Sequence, residues 1–206
     1  LLPVAVHFRD VLCELIGWQD CIPLLQLIGT IAPSDDDPTD DIIYAQSDPE
    51  HIHVASAREF FVNIPRERIH ELLSLIVGAG AEGHRWGFLL MALLDMNRAD
   101  VLKKFKHHGL VAIKAYGLLP LAGDETVLSR YLTLKQSLKM VQKLGPGRKI
   151  SHANAVRVAL DHLAQTAGYL DANRLEWAME AQLGEEITRE WTIEGYTIQL
   201  EQDGVE

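Results

Sequence analysis

The sequence predicts a mainly all-α fold, a stack of antiparallel helix hairpins that ends in a short C-terminal β strand or hairpin. Three observations point there. Amphipathic segments with apolar stripes at helical spacing alternate with segments that are apolar nearly all round. Short Gly, Pro and Asp breaks divide the chain into about nine or ten helices of roughly 10–20 residues. The last segment, WTIEGYTIQLEQDG, is dominated instead by β-formers around Gly195.

Near the N-terminus, Val4, Phe8, Val11, Leu12 and Leu15 mark a first helix, with IPLLQLIGTI at 22–31 as its partner. Cys13 and Cys21 are expected as buried thiols on these two helices; two cysteines without a C-x-x-C pattern suit a reducing cytoplasm. SDDDPTDD at 34–41 has the oxygen density of a Ca²⁺ loop but lacks the EF-hand Gly and closing Glu, so a solvated loop is expected. His51-x-His53 follows a Ser47/Glu50 capping box and would hold a metal only if distant Cys or Asp converged on it.

In 69–77, Ile69, Leu72, Leu73, Ile76 and Val77 form one apolar stripe, with Pro65 just inside the helix start and Gly78 past its end. FLLMALL at 88–94 and LVAIKAYGLLPL at 110–121 are apolar enough to lie between layers. GLLPLAGDETVLSRYL then reads as a buried helix, a tight Gly-Asp turn and a next helix, which makes the stack HEAT-like, with no fixed period. The following seam runs through Val127, Tyr131, Leu134, Leu138 and Val141 and stops at Gly145-Pro146-Gly147. Ser151 is the expected N-cap of the next helix, which buries Val156, Leu160, Leu163 and Ala167 and ends at Gly168. Asp171 caps a last helix carrying Leu175, Ala178 and Met179. Residues 1–184 are thus read as an α-helical repeat region and 185–206 as the beginning of a β-containing segment. The opening on Leu1 and the turn dipeptide Asp203-Gly204 close to the end suggest a piece of a longer, truncated protein.

With 48% hydrophobic and 23% charged residues the chain has an ordinary globular composition. Its longest apolar run, WGFLLMALL, falls far short of the ~20 residues of a bilayer span, and no signal peptide pattern opens it. The net charge of −10 is unevenly placed: residues 1–100 carry 16 acidic and 6 basic groups, 101–160 carry 2 and 11, and 161–206 carry 11 and 2. Within this basic belt Lys135, Lys139 and Lys143 form a ridge at four-residue spacing, and Arg148 and Lys149 precede the expected helix start. Cations beside a helix N-terminus make an anion site, which Lys103, Lys104, Lys106, His107 and His108 could extend. The plainer reading is a solvated face that balances the acidic blocks.

The stretch Arg174 to Glu180 (RLEWAME) offers a second candidate. Glu176 and Glu180 share a helix face, as paired carboxylates do in acid–base or metal sites. The Glu-x-x-His of ferritin-like sites is absent, Arg174 can pair with Asp171, and Trp177 is expected as a packing anchor against the preceding helix. A structural signature is therefore preferred to a site. LGPGRK is not a P-loop, and G-x-S-x-G and H-E-x-x-H are missing, so nothing here argues for an enzyme, a catalytic residue, a metal or a cofactor.

Residues 131–183 resemble a segment of very large bacterial proteins that carry a domain of unknown function, some with a WGR module and labelled molybdate metabolism regulators. The resemblance rests on Tyr131 and Leu132, on the region of Arg148, Ala153 and Asn154, on Ala167, Gly168, Tyr169 and Asp171, and on RLEWAME. Pro146-Gly147 and Ile150-Ser151 depart from it, standing where more polar residues are expected. It implies a helical-repeat region of a multidomain cytoplasmic protein and supplies no catalytic residues. The expected function is a non-catalytic interaction or scaffold module that docks other domains of the parent or a protein partner. Two alternatives stand beside it: a nucleic-acid or phosphate-binding module on the belt at 101–157, and an enzyme domain using Glu176 and Glu180.

Overall fold

A computed structural model describes residues 14–15, 17–19, 52–62, 64–78, 80–140, 145–187, 191–193 and 196–198, and among the described residues helical periodicity and Gly/Pro punctuation set out eight full helices. The chain is mainly helical. The first four helices are α1 (Val54–Val62), α2 (Arg66–Gly78), α3 (Ala81–Leu93) and α4 (Arg98–Lys106). After them come α5 (Leu110–Leu118), α6 (Val127–Met140), α7 (Pro146–Thr166) and α8 (Ala172–Ile187). Two three-residue strands, β1 (Trp191–Ile193) and β2 (Tyr196–Ile198), pair antiparallel with Trp191 opposite Ile198. The readings made at 1–13, 20–51, Lys143 and 199–206, including both cysteines, the acidic loop and His51, lie outside the described residues.

The segment that is apolar all round becomes the centre. Every residue of α5 from Ala112 to Leu118 is buried, and the helix packs on α3, α4 and α7. Its crossing with α7 is close because Gly117 has no side chain: a Cβ there would overlap the backbone carbonyl of Ala159. Helix α7 buries Ala155, Val156, Ala159, Leu160 and Leu163 and touches α1, α5, α6 and α8, so it links the first of the eight helices to the last. Leu72, Leu73 and Ile76 of α2 pair with α3, which buries Phe88, Leu89, Leu90 and Leu93.

Helix ends follow local chemistry, with two corrections. Pro65 stands just before α2, its carbonyl accepting the N–H groups of Arg68 at 3.0 Å and Ile69 at 3.1 Å. Helix α7 starts at Pro146, not after Ser151, because proline at the first helical position loses no internal hydrogen bond. Arg148 and Lys149 therefore belong to its first turn. Three helices close with the same motif. At the ends of α3, α4 and α7, Asp95 (φ 59°), His108 (φ 57°) and Gly168 (φ 85°) turn left-handed. The next N–H then reaches back to Met91, Lys104 and Ala164 at 2.8, 3.1 and 2.8 Å.

Two side chains of α7 seat the start of α1. His162, 0% exposed, accepts the Ile52 N–H on Nε2 at 2.8 Å and donates from Nδ1 to the Lys114 carbonyl at 3.0 Å. That pattern needs the neutral ring with its proton on Nδ1. Three residues on, Gln165 Oε1 accepts the Val54 N–H at 2.8 Å, so polar groups at a helix N-terminus are satisfied from a neighbouring helix.

Candidate functional site

The basic belt divides in the folded chain. Lys135 on α6 donates to Glu176 Oε1 on α8 at 2.9 Å, each side chain about a third exposed. Its Nζ also lies 5.4 Å from the Tyr131 ring. Burial alone would lower the Lys135 pKa, but the hydrogen bond and charge of Glu176 outweigh it and hold the ammonium above its ordinary value. Tyr131 is pushed up by burial and by the charges of Glu176 and Glu180, against the opposing pull of Lys135. The favoured state is a neutral phenol, a lysine cation and a carboxylate that already has its partner. Glu180 is exposed, so the two carboxylates sit in different environments, and one candidate cation has been brought to one candidate acid.

Lys139 remains exposed on α6. Arg148, by contrast, joins the earlier part of the belt. A cavity of about 380 Å³ is lined by His107 and His108 from the end of α4, Leu110 from the start of α5, and Arg148, Ser151 and His152 from the start of α7. A neighbouring cavity of about 420 Å³ shares His107 and Leu110 and reaches Lys103 and Lys104; there Lys104 pairs with Asp100 at 2.8 Å. His152 is buried, with Nε2 2.9 Å from the Ser137 hydroxyl and its ring edge-on to His108 at 5.8 Å. Burial depresses its pKa, and His108 adds to the effect, against the Ser137 backbone. Among the described residues no three His, Cys, Asp or Glu side chains converge as a metal site.

The signature at 169–180 is mostly architecture. Tyr169 is half-buried against the core and its N–H closes α7. Asp171 caps α8, Oδ1 accepting the Arg174 N–H at 2.8 Å, and Arg174 Nε lies 3.8 Å from the same carboxylate. Asp161 of α7 accepts the Ala172 N–H at 3.0 Å and fixes the same corner. Trp177 is the exception. The expected packing anchor is 69% exposed. It stands two residues from both Leu175 and Met179, the buried stripe of α8, and so about 200° around the helix from each.

The most heavily bonded polar residue escaped the sequence reading. Arg130, 0% exposed, donates from Nε to Glu125 Oε1 at 2.8 Å and from Nη2 to Glu125 Oε2, and its Nη1 and Nη2 also donate to the carbonyls of Leu119 and Pro120, respectively. Tyr116 donates to Glu125 Oε1 at 3.1 Å beneath it, and Arg98 donates to the Pro120 carbonyl at 2.7 Å. Burial opposes ionisation of Glu125, but Arg130 and Tyr116 outweigh it and hold the carboxyl below its ordinary range. The cluster ties down the turn between α5 and α6. Its signal was present in spacing: Arg130 lies four residues before Leu134 and Ser137 three after, on the edge of the apolar seam.

Residues 110–179, from α5 into α8, match a family of unknown function, DUF5724. The match covers about a third of the chain, and Tyr116, Glu125, Arg130, Lys135, Arg148, His152, Glu176 and Trp177 all fall inside it. No curated protein and no solved structure matches the chain.

Proposed function

We propose that the chain is a non-catalytic helical-repeat interaction module of a larger bacterial cytoplasmic protein, docking other domains of that protein or a protein partner through the outer face of α8. The observation that carries this reading is the exposed Trp177. A large aromatic that contributes little to the core of its own chain is the kind of residue that anchors a protein interface. Leu170, just before α8, is likewise exposed. The engagement of Glu176 by Lys135 favours this reading over acid–base chemistry on α8.

A HEAT-like arrangement is supported by the order of contacts. Helices α2 and α3, α4 and α5, and α6 and α7 pack as sequential pairs, while α3 packs on α5 and α5 on α7. The second helix of each pair would then form one row, as in a stack of hairpins. The β1–β2 pairing supports a β-containing segment after α8, which runs to Ile187 and so past the expected boundary at 184.

The test replaces Trp177 with a photo-crosslinking benzoylphenylalanine and mixes the chain with the full-length parent protein. Crosslinks from position 177 into another domain or chain are expected. Trp177→Ala should cost less than about 1 kcal/mol of stability, as surface changes do, yet weaken the complex roughly tenfold or more. An uncrosslinked parent, or equal affinity of the alanine variant, would remove the reading.

A further inference from the structure

Helices α3, α4 and α5 enclose a groove of about 420 Å³ that the packing of the core does not account for. Two helical faces form its sides. Asp100, Lys103 and Lys104 of α4 and His107 at its end recur at the spacing that lines up one face, as do His84 and Phe88 of α3, with Arg85 beside them. The floor is apolar. Phe88 and Ala112 are buried beneath it, Val111 is half-buried, and Leu110 is 41% exposed. Around that floor His84, Arg85, Lys103, Lys104 and His107 are all exposed, so the groove opens to solvent.

Charge on the rim is largely of one sign. Arg85, Lys103 and Lys104 are cations, whereas Asp100 is the one carboxylate among the described lining residues. Lys104 engages that carboxylate at 2.8 Å, and the same ammonium lies 4.6 Å from the centre of the Phe88 ring. The lysines in the last turn of α4 suit the negative end of its dipole. The dipole gives no such reason for Arg85, which stands in the first half of α3. A cationic rim over an apolar floor complements an acidic segment that carries an apolar side chain. Burial of that side chain supplies attraction, and charge selects the partner.

We propose that this groove docks an acidic peptide segment of a partner protein, which seats one apolar side chain over Phe88 and Leu110 while its carboxylates meet Arg85 and Lys103. The groove shares no residue with the Trp177 face of α8, so either assignment can fail without the other.

The test is a titration of the 206-residue chain against a capped, fluorescein-labelled nonapeptide with phenylalanine at its centre and glutamate at every other position, read by fluorescence anisotropy. Saturable binding is expected. Added chloride should weaken it without abolishing it, because salt screens the charges and leaves the apolar contact. Lys103→Glu, with an unchanged melting curve, should weaken binding roughly fivefold or more. If that variant fails to fold, Lys103→Gln takes its place with the same direction of effect. Lys139→Glu makes the same change of net charge outside the groove and should bind nearly as the unsubstituted chain does. A peptide with alanine at its centre should bind roughly tenfold more weakly. The proposal is overturned if the nonapeptide shows no saturable binding, if Lys139→Glu loses as much as Lys103→Glu, or if the alanine peptide binds equally well. Phenylacetate that displaces the peptide at concentrations below the peptide's own Kd would overturn it in favour of a small organic anion. Salt-sensitive self-association of the chain that Lys103→Glu abolishes would overturn it in favour of a second copy.

Discussion

Arg130 concentrates the polar energetics of the described chain in one side chain. Its guanidinium is withdrawn from water and compensated by Glu125, two carbonyls and the Tyr116 ring 5.1 Å away, an arrangement that is costly to break and inexpensive to replace as a whole. Arg130→Met alone should therefore destabilise by about 3–5 kcal/mol, because Glu125 and the Leu119 and Pro120 carbonyls lose their partner. The Arg130→Met, Glu125→Gln double variant should lose less than the sum of the single losses. Urea denaturation of the four proteins tests this cycle, and strict additivity would show that the two groups act independently. The Lys135–Glu176 pair should contribute far less, since both groups keep contact with solvent. Trp177 teaches a related lesson. Its exposure was accessible from helical angles alone, once Leu175 and Met179 were taken as the buried stripe, but residue size suggested an anchor.

Among the helices, α5 and α7 form the contact on which the others depend. Gly117 lets the two backbones approach, and Gly117→Ala should cost about 1–3 kcal/mol by overpacking or by forcing the helices apart. A thermal melt measures it, and an unchanged midpoint would mean that the crossing can open freely. Helix ends were readable where one residue carries the geometry, as at Gly168 and Asp171, whereas Gly78, expected just past the end of α2, is its last residue. They were misread at Ser151, where a cap-competent hydroxyl lies inside the helix and donates to the Gly147 carbonyl at 3.2 Å. The left-handed turns at Asp95 and His108 were not visible, since neither residue announces that backbone as glycine does.

Across the whole molecule, protonation connects these parts. His152 has a depressed pKa, so its contribution to stability is present above its ordinary value of 6.5 and declines as pH falls below it. Glu125, held low, contributes above 4.5 and loses that contribution as pH falls further. At the other extreme Tyr131, raised above 10.0, and Lys135, raised above 10.5, contribute below those values and cease to do so as pH climbs through their folded ones. Stability measured by denaturation should be flat near neutrality, fall below about 6.5, fall again below about 4.5, and fall above about 10. A curve flat from pH 7 to 5 would contradict the burial of a neutral His152.

The helical character of the chain, the centrality of 112–119 within the expected 110–121 and the punctuation of most helix ends follow from order along the sequence, since periodicity and Gly/Pro geometry act over only a few residues. Which cation meets which anion does not. Lys135 and Glu176 stand 41 residues apart, and Arg148 lines the same cavity as His107 and His108, about 40 residues earlier in the chain. Burial of Arg130, exposure of Trp177 and the cavity at the start of α7 arise only when α6, α7 and α8 take their places around α5. Contacts between distant segments depend on how helices cross, and crossing is set by close-packed side chains whose partners the linear order does not name.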